Sequence, residues 1–129
     1  MQQEQAGKIL DHMQAQYSPD KFWNITVILQ DDEAITRLHK DYLDDNTPTD
    51  VITFDLSEPD EEEGEGEIYI SVDRAKENSQ TYKVSLFSEV YRLIIHGLLH
   101  LMGFDDHTDV ERTAMREKED TILENFDLL

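Results

Sequence analysis

The stretch that decides the fold runs from Ser85 to His107 and ends in His96-Gly97-Leu98-Leu99-His100-Leu101-Met102-Gly103-Phe104-Asp105-Asp106-His107. Its first part predicts a helix, because apolar residues recur at helical spacing and Ser85 is a suitable N-cap. Two histidines four residues apart on a helix share one face and lie about 6 Å apart along the axis, so both imidazoles can reach one ion. The stretch therefore predicts a buried central helix that carries part of a metal site.

The chain beyond this helix offers a third ligand. Gly103 can adopt the left-handed conformation without a Cβ penalty, so we expect the helix to end there and the chain to reverse. The reversal brings Asp106 or His107 back towards the ion, and both side chains are competent zinc ligands. Three protein ligands leave one position of a tetrahedral zinc open, which is typical of catalytic sites. This pattern disfavours the alternative that His96 and His100 are ordinary core residues.

The residue that follows the first histidine bears on the reaction. A catalytic zinc lowers the pKa of bound water to about 7, which provides a nucleophile for a phosphodiester or a peptide carbonyl. Zinc proteases with an H-E-x-x-H motif have a glutamate general base at this position, whereas this chain has Gly97. A protease of that type is disfavoured, although a peptidase that takes its base from another element stays open.

Length and composition limit what the site serves. The 129 residues fit one domain, 1–129, that is long enough to bury a core. The absence of cysteine excludes disulfides and thiolate zinc sites, and it fits a reducing cytoplasm. The N-terminal residues are polar and no apolar run approaches the roughly 18 residues of a membrane span. We therefore expect a cytoplasmic protein without a membrane partner.

The formal net charge of −19 argues against a broad basic surface for nucleic acid. Much of the acid is concentrated between Glu58 and Glu67. We interpret this run as a solvated loop rather than a calcium or magnesium site, because its spacing lacks the regular ligands of an EF-hand. Basic residues that precede the histidines are candidates for a local basic rim: Arg74, Lys76, Lys83 and Arg92.

The remaining patterns predict helices and strands in the order α-β-α-β-β-α-α-α. The predicted elements are a helix from Ala6 to Tyr17, a strand from Trp23 to Gln30, a helix capped by Asp31 or Asp32, strands over Thr49 to Leu56 and Glu67 to Val72, a helix capped by Asp73, the histidine helix, and a last helix with a Thr108–Glu111 capping box. His12 and His39 lie in the first two helices and are interpreted as structural residues.

This order predicts an α+β fold with a small mixed sheet of three to four strands, about five helices and a central metal-binding helix. The second and third strands are expected to be antiparallel, since only the acidic loop joins them. A helix joins the first strand to the second. We therefore expect that pair to be parallel, with a right-handed crossover.

Three ordered motifs carry a resemblance to a known family. The run His96-Gly97-x-Leu99-His100-Leu101-x-Gly103-Phe104, followed by an Asp-His pair, resembles the signature of the YbeY family of rRNA maturation factors. Pro48-Thr49-Asp50-Val51-Ile52-Thr53-Phe54 resembles the family's P-T-D-V-[LI]-[ST]-F, and Gly66-Glu67-Ile68-Tyr69-Ile70-Ser71 resembles its G-D-I-x-I-S. The resemblance implies a zinc-dependent, single-strand-specific endoribonuclease that acts in 16S rRNA 3′-end maturation and ribosome quality control. Its implied partners are rRNA, the ribosome or 30S subunit and assembly factors, and not DNA.

The third zinc ligand is where this chain departs from the family pattern. In most of the family the third histidine lies six positions after the second, where this chain has Asp106. An added residue at Asp105 would align Asp106-His107 with the family's Asp-His pair. We therefore favour His96, His100 and His107 as zinc ligands, with Asp106 as the alternative third ligand, or as the general base if it is not a ligand.

A second departure concerns the charge stabiliser. The family's usual Tyr-Arg is here Tyr42-Leu43, so an arginine often assigned to phosphate binding is missing. Arg92 is our candidate replacement, with Arg74 and Lys83 as alternatives. Other roles follow from position alone: Asp50 and Thr53 would line the cleft, and Glu89 would either orient a ligand or pair with Arg92. The missing arginine and the net charge also leave open a ribosome-associated binding factor with a structural metal.

Overall fold

The computed structural model describes residues 3–43, 49–58 and 62–129. These residues form the elements α1 (Gln3–Tyr17), β1 (Phe22–Gln30), α2 (Asp32–Leu43), β2 (Val51–Asp55), β3 (Glu63–Ser71), α3 (Val72–Tyr82), α4 (Leu86–Leu101) and α5 (Asp109–Asn125). Five helices on a small mixed sheet confirm the predicted α+β class. Residues 44–48, which include the first residue of the P-T-D motif, lie outside the described residues.

The sheet has the strand order β1-β3-β2. β2 and β3 are antiparallel, as predicted. The predicted parallel pairing of β1 with β2 is wrong, because β1 pairs in parallel with β3 over its whole length, from Phe22 opposite Glu63 to Gln30 opposite Ser71. β3 takes the central position because its side chains at Ile68 and Ile70 are fully buried, whereas those of β1 and β2 are more exposed.

The acidic run is largely strand. From Glu63 onwards, glutamates with outward-facing side chains alternate with buried glycines, which is the two-residue period of a strand. A Cβ atom on Gly66 would lie 2.8 Å from Cδ1 of Leu101, so glycine lets the end of α4 cover β3 closely. The prediction of a solvated loop from Glu58 to Glu67 is therefore wrong from Glu63 onwards, since the glycines there serve packing rather than turns.

The helix starts follow the predicted capping residues with one exception. Ser85 and Thr108 cap α4 and α5, and the Thr108 cap includes the predicted capping box. The predicted cap of α3, Asp73, is wrong. Ser71 is the N-cap, and its side chain accepts a hydrogen bond from the N–H of Arg74 at 3.1 Å. Asp73 instead accepts from the first backbone N–H of α2, which ties the two helices together.

The hydrophobic core forms around α4, which has an almost completely buried apolar surface. Its partners are buried side chains of α1, β3 and α5, namely Ile9, Met13, Ile68, Ile70, Met115, Ile122 and Leu123. This packing confirms the predicted central helix. None of the helices in the described ranges is both long enough and apolar enough to cross a membrane.

Gly97 is the point of closest contact between α4 and the sheet. A Cβ atom there would lie 2.9 Å from Cγ2 of Ile68 and 3.0 Å from Cγ2 of Thr53. Both neighbours are β-branched side chains on strands, which have little freedom to move away. Gly97 therefore faces the sheet, so a glutamate at this position would be buried instead of reaching a substrate.

We expect Gly97→Ala to lower the free energy of unfolding by about 1–3 kcal/mol, since the methyl group overpacks this contact. Urea unfolding at neutral pH measures the loss. Gly7→Ala is the matched control, because a Cβ atom on Gly7 meets no heavy atom within 4 Å. That control should gain up to about 1 kcal/mol from the better helix propensity of alanine. Equal stability of the two variants would contradict the packing argument.

Candidate metal centre

Three potential ligand atoms meet where α4 ends. The Nε2 atoms of His96 and His100 are 3.1 Å apart, and Oδ2 of Asp106 lies 3.4 Å and 3.6 Å from them. With zinc–ligand bonds of about 2.0–2.1 Å, two ligands of a tetrahedral site lie roughly 3.3–3.4 Å apart. The three atoms thus already have the spacing of one face of a zinc tetrahedron. This group can bind a metal ion.

The turn after α4 explains how Asp106 reaches the histidines. Gly103 has a φ of +102°, as expected of a glycine that ends a helix. The N–H of Gly103 donates to the carbonyl of His100 at 3.1 Å, and the N–H of Phe104 donates to that of Leu99 at 3.0 Å. These bonds close the helix end and turn the chain back. Asp106 is then directed towards the two imidazoles.

The side chain of His107 lies elsewhere. Arg112 at the start of α5 donates to the backbone carbonyls of both Asp106 and His107, which fixes this part of the loop. With the backbone held in this way, the side chain of Asp106 is half-buried beside the histidines and that of His107 is exposed. Within the described part of the chain, His107 belongs to no group of closely spaced metal-ligating atoms. We therefore propose Asp106, rather than the favoured His107, as the third ligand.

A buried carboxylate orients the first histidine. Oε2 of Glu119 lies 2.7 Å from Nδ1 of His96, and Glu119 is 4% exposed. A proton on Nδ1 that is donated to this carboxylate leaves the lone pair of Nε2 free for a metal. The sequence interpretation missed Glu119. A signal was present, because Glu119 follows Met115 by four residues and precedes Ile122 by three, which places an acidic side chain on the apolar stripe of α5.

The electrostatic environment of His96 favours a cation. Burial alone lowers the pKa of His96, whereas the hydrogen bond with Glu119 and the charges of Glu119, Asp106 and Asp50 raise it. The net result is a pKa above the ordinary value for histidine. The same carboxylates attract a metal cation to this place.

Arg92 is engaged by carboxylates. Its guanidinium lies 3.2 Å from Glu119, 2.7 Å from Asp120 and 3.7 Å from Glu89, and the side chain is 8% exposed. The Glu89 contact is the ion pair that was one of the two roles predicted for that residue. Because Arg92 is buried among three carboxylates, we propose that it positions Glu119 and does not contact a phosphate.

Two cavities open beside the metal-binding group. The larger has about 350 Å³ and lies between α3, α4 and α5, and the other has about 300 Å³ and lies along β2. Asp50 lines both cavities and Thr53 lines the second, where the motif position predicted them. Oδ2 of Asp50 accepts a hydrogen bond from Nδ2 of Asn78 at 3.3 Å. His39, which was interpreted as structural, also lines the second cavity.

The other predicted basic residues lie away from these cavities. Arg74 pairs with Asp32 at 3.1 Å, and Lys83 is the left-handed C-cap of α3. Neither residue lines the two cavities at the metal-binding group, and Lys76 does not line them either. Of the predicted basic rim, only Arg92 faces a cavity, and its charge is already paired.

We expect Glu119→Gln to weaken metal binding by about 10–100-fold, because the amide carries no charge and does not fix the proton on Nδ1 of His96. Competition with a chelator of known affinity measures the change. Glu117→Gln on the exposed side of α5 removes the same charge from the same helix and should leave the affinity within about twofold, since long-range attraction is screened by salt. An equal effect of both substitutions would contradict a specific role for Glu119.

The fold and the site define an α+β protein with a candidate mononuclear metal centre at the end of its central helix. The chain belongs to the Endoribonuclease YbeY family, whose family model matches residues 1–127. An Endoribonuclease YbeY from Amoebophilus asiaticus is 43% identical over 96 residues, which cover 74% of this chain and 65% of the relative. One from Flavobacterium psychrophilum is 42% identical over 102 residues, covering 79% and 71%.

A solved structure agrees with this assignment of the fold. The solution structure of a Thermotoga maritima protein superposes with a TM-score of 0.64 at 28% identity. The superposition covers 95% of this chain and 79% of the other. The chain thus spans about two thirds of the length of its relatives and most of the length of a related solved structure.

Proposed function

We propose that this protein is a zinc-dependent endoribonuclease that hydrolyses single-stranded RNA. The observation that carries the proposal is the triangle of His96, His100 and Asp106 beside two open cavities. The names of the relatives support RNA as the substrate. The ordered motifs support the finer proposal that the substrate is the 3′ end of 16S rRNA during 30S assembly in the cytoplasm, where assembly factors are further partners.

The residues of the site have three proposed roles, which are metal binding, orientation of a ligand and general base catalysis. His96, His100 and Asp106 would hold the metal, and Glu119 keeps His96 in the tautomer that binds it. A bound zinc supplies a Lewis acid for the phosphoryl oxygens and lowers the pKa of water. Asp50 is our candidate general base, because its carboxylate lines both cavities and is held by Asn78.

Two alternatives were open from the sequence. A peptidase of the H-E-x-x-H type is disfavoured because Gly97 packs against the sheet, where a glutamate would not reach a substrate. The casein assay below tests a peptidase whose base comes from another element. A binding factor with a purely structural metal is disfavoured because the three donors lie beside cavities, and structural zinc sites usually have four protein ligands. The half-exposed setting of Asp106 agrees with an accessible metal.

Cleavage assays on the purified chain loaded with zinc test the proposal. We expect cleavage of a labelled single-stranded RNA, little cleavage of the same sequence in a duplex, and no hydrolysis of casein. His100→Ala should abolish RNA cleavage while the protein stays folded, as judged by circular dichroism. Hydrolysis of casein with intact RNA would support a peptidase. RNA cleavage that persists in His100→Ala would refute the metal site as the catalytic centre.

A further inference from the structure

The larger cavity is unusually rich in arginine for so acidic a chain. The chain has five arginines, and Arg92, Arg112 and Arg116 line this one cavity. The cavity of about 350 Å³ also contains His96 and Asp106, so it is continuous with the metal-binding group. A volume of this size is typical of sites for small ligands or for part of a polymer.

The three arginines differ in what occupies their guanidinium groups. Arg92 is paired with the buried carboxylates of Glu89 and Glu119 and with the more exposed Asp120. Arg112 binds the loop carbonyls and pairs with Asp109. Among residues 3–43, 49–58 and 62–129, Arg116 has no carboxylate within ion-pair distance, and its charge acts only at longer range on Glu89, whose pKa it lowers. It follows Arg112 by four residues and therefore lies on the same face of α5. Arg116 thus brings to the cavity a positive charge that forms no direct ion pair with a described carboxylate.

A tyrosine contacts the guanidinium of Arg116. Cζ of Arg116 lies 5.3 Å from the ring centroid of Tyr82, within the range of a cation–π contact. Tyr82 is the last residue of α3 and also lines the cavity. This contact restrains the guanidinium on one side while its N–H groups stay available, and guanidinium N–H groups match the oxygens of a phosphate.

We propose that Arg116, supported by Tyr82, binds a phosphate of the single-stranded RNA next to the phosphate that lies at the metal-binding group. This inference rests on the proposed function, since it assigns part of the path of the substrate. It also accounts for how an RNA strand is retained by a chain with a net charge of −19, because the attraction needed is local. Arg116 is then a substrate-binding residue, whereas Arg92 positions Glu119.

Binding of a 5′-labelled RNA octanucleotide, followed by fluorescence anisotropy, tests the inference in the zinc-loaded protein. Titrations at 4 °C over a range of salt concentrations, with the integrity of the RNA checked on gels, give the affinity and its salt dependence. We expect Arg116→Ala to weaken binding about tenfold. The slope of log affinity against log salt should fall by about 0.7, the value for one phosphate of a single strand. Arg116→Lys should lose less affinity, because it keeps the charge.

Arg37→Ala is the matched control, because Arg37 is an exposed helical arginine that lines neither cavity. If Arg116→Ala and Arg116→Lys bind RNA as Arg37→Ala does while RNA is still cleaved, the inference is wrong and the proposed function stands. If RNA is bound through Arg116 but never cleaved, the inference stands and the proposed function fails. If the wild type does not bind RNA, both fail. If Arg116→Ala does not fold, Arg116→Gln, which removes the charge but keeps a long polar side chain, decides by the same loss of affinity and of salt slope.

Discussion

Replacement of Arg92 by leucine is expected to lower the free energy of unfolding by about 3–5 kcal/mol at pH 7.5. The leucine fills much of the space but leaves the carboxylates of Glu89 and Glu119 buried without their cation. Urea unfolding measures the loss. Arg37→Leu is the control on an exposed helix surface, where we expect a change within about 0.5 kcal/mol. A loss below about 1 kcal/mol in Arg92→Leu would refute a structural role for this ion pair.

The defect of Arg92→Leu should depend on pH. Burial raises the pKa of Glu89 above its ordinary value, and the charge of Arg92 opposes this rise. Without Arg92 the pKa of Glu89 in the folded protein rises further. When the pKa of a carboxyl group is higher in the folded state than in the unfolded state, the protein loses stability as the pH rises from the unfolded-state pKa to the folded-state pKa. We therefore expect the difference from the wild type to be smaller at pH 5 than at pH 7.5.

Removal of either His100 or Asp106 is expected to weaken zinc binding by more than about 100-fold, a larger loss than for a residue that only orients a ligand. Each side chain provides one of the three closely spaced ligand atoms. Zinc quantification after dialysis against a weak chelator should find nearly one ion per wild-type chain and almost none in His100→Ala or Asp106→Ala. RNA cleavage should disappear with the metal.

His107→Ala is the decisive comparison for the third ligand. Its exposed imidazole lies outside the ligand group, so this variant should keep its zinc and its activity. Loss of zinc from His107→Ala, with retention in Asp106→Ala, would reverse our assignment. Unfolding on removal of zinc from the wild type would instead show that the metal also stabilises the fold.

Local patterns in the sequence were sufficient to predict most helices and half of the site. The spacing of His96 and His100 on a helix, the glycine stop and the serine and threonine caps each depend on a few neighbouring residues, and the structure contains all of them. Such patterns do not predict whether Asp106 or His107 is the third ligand. It depends on how the loop is held by Arg112, a contact that no residue spacing predicts.

Features that depend on distant residues were predicted less well. Local patterns do not predict the strand order. β3 lies between β1 and β2 because Ile68 and Ile70 are buried under several elements at once. The pairing of Arg92 with Glu119 joins residues on two helices, whereas the sequence analysis places Arg92 at the phosphate. Acidic residues that alternate with glycines predict a loop when only their neighbours are considered. The side chain that packs on Gly66 belongs to Leu101, which lies far along the chain.

The order of the elements along the chain has a consequence for folding kinetics. His96, His100, Asp106 and Glu119 all lie within α4, α5 and the short loop between them, so their contacts close small loops. The parallel pairing of β1 with β3 instead joins segments separated by α2 and β2. Contacts close in sequence form faster than distant ones. We therefore expect the metal ligands to assemble early as a helical hairpin, and the wall of the cleft that β2 provides to be added later.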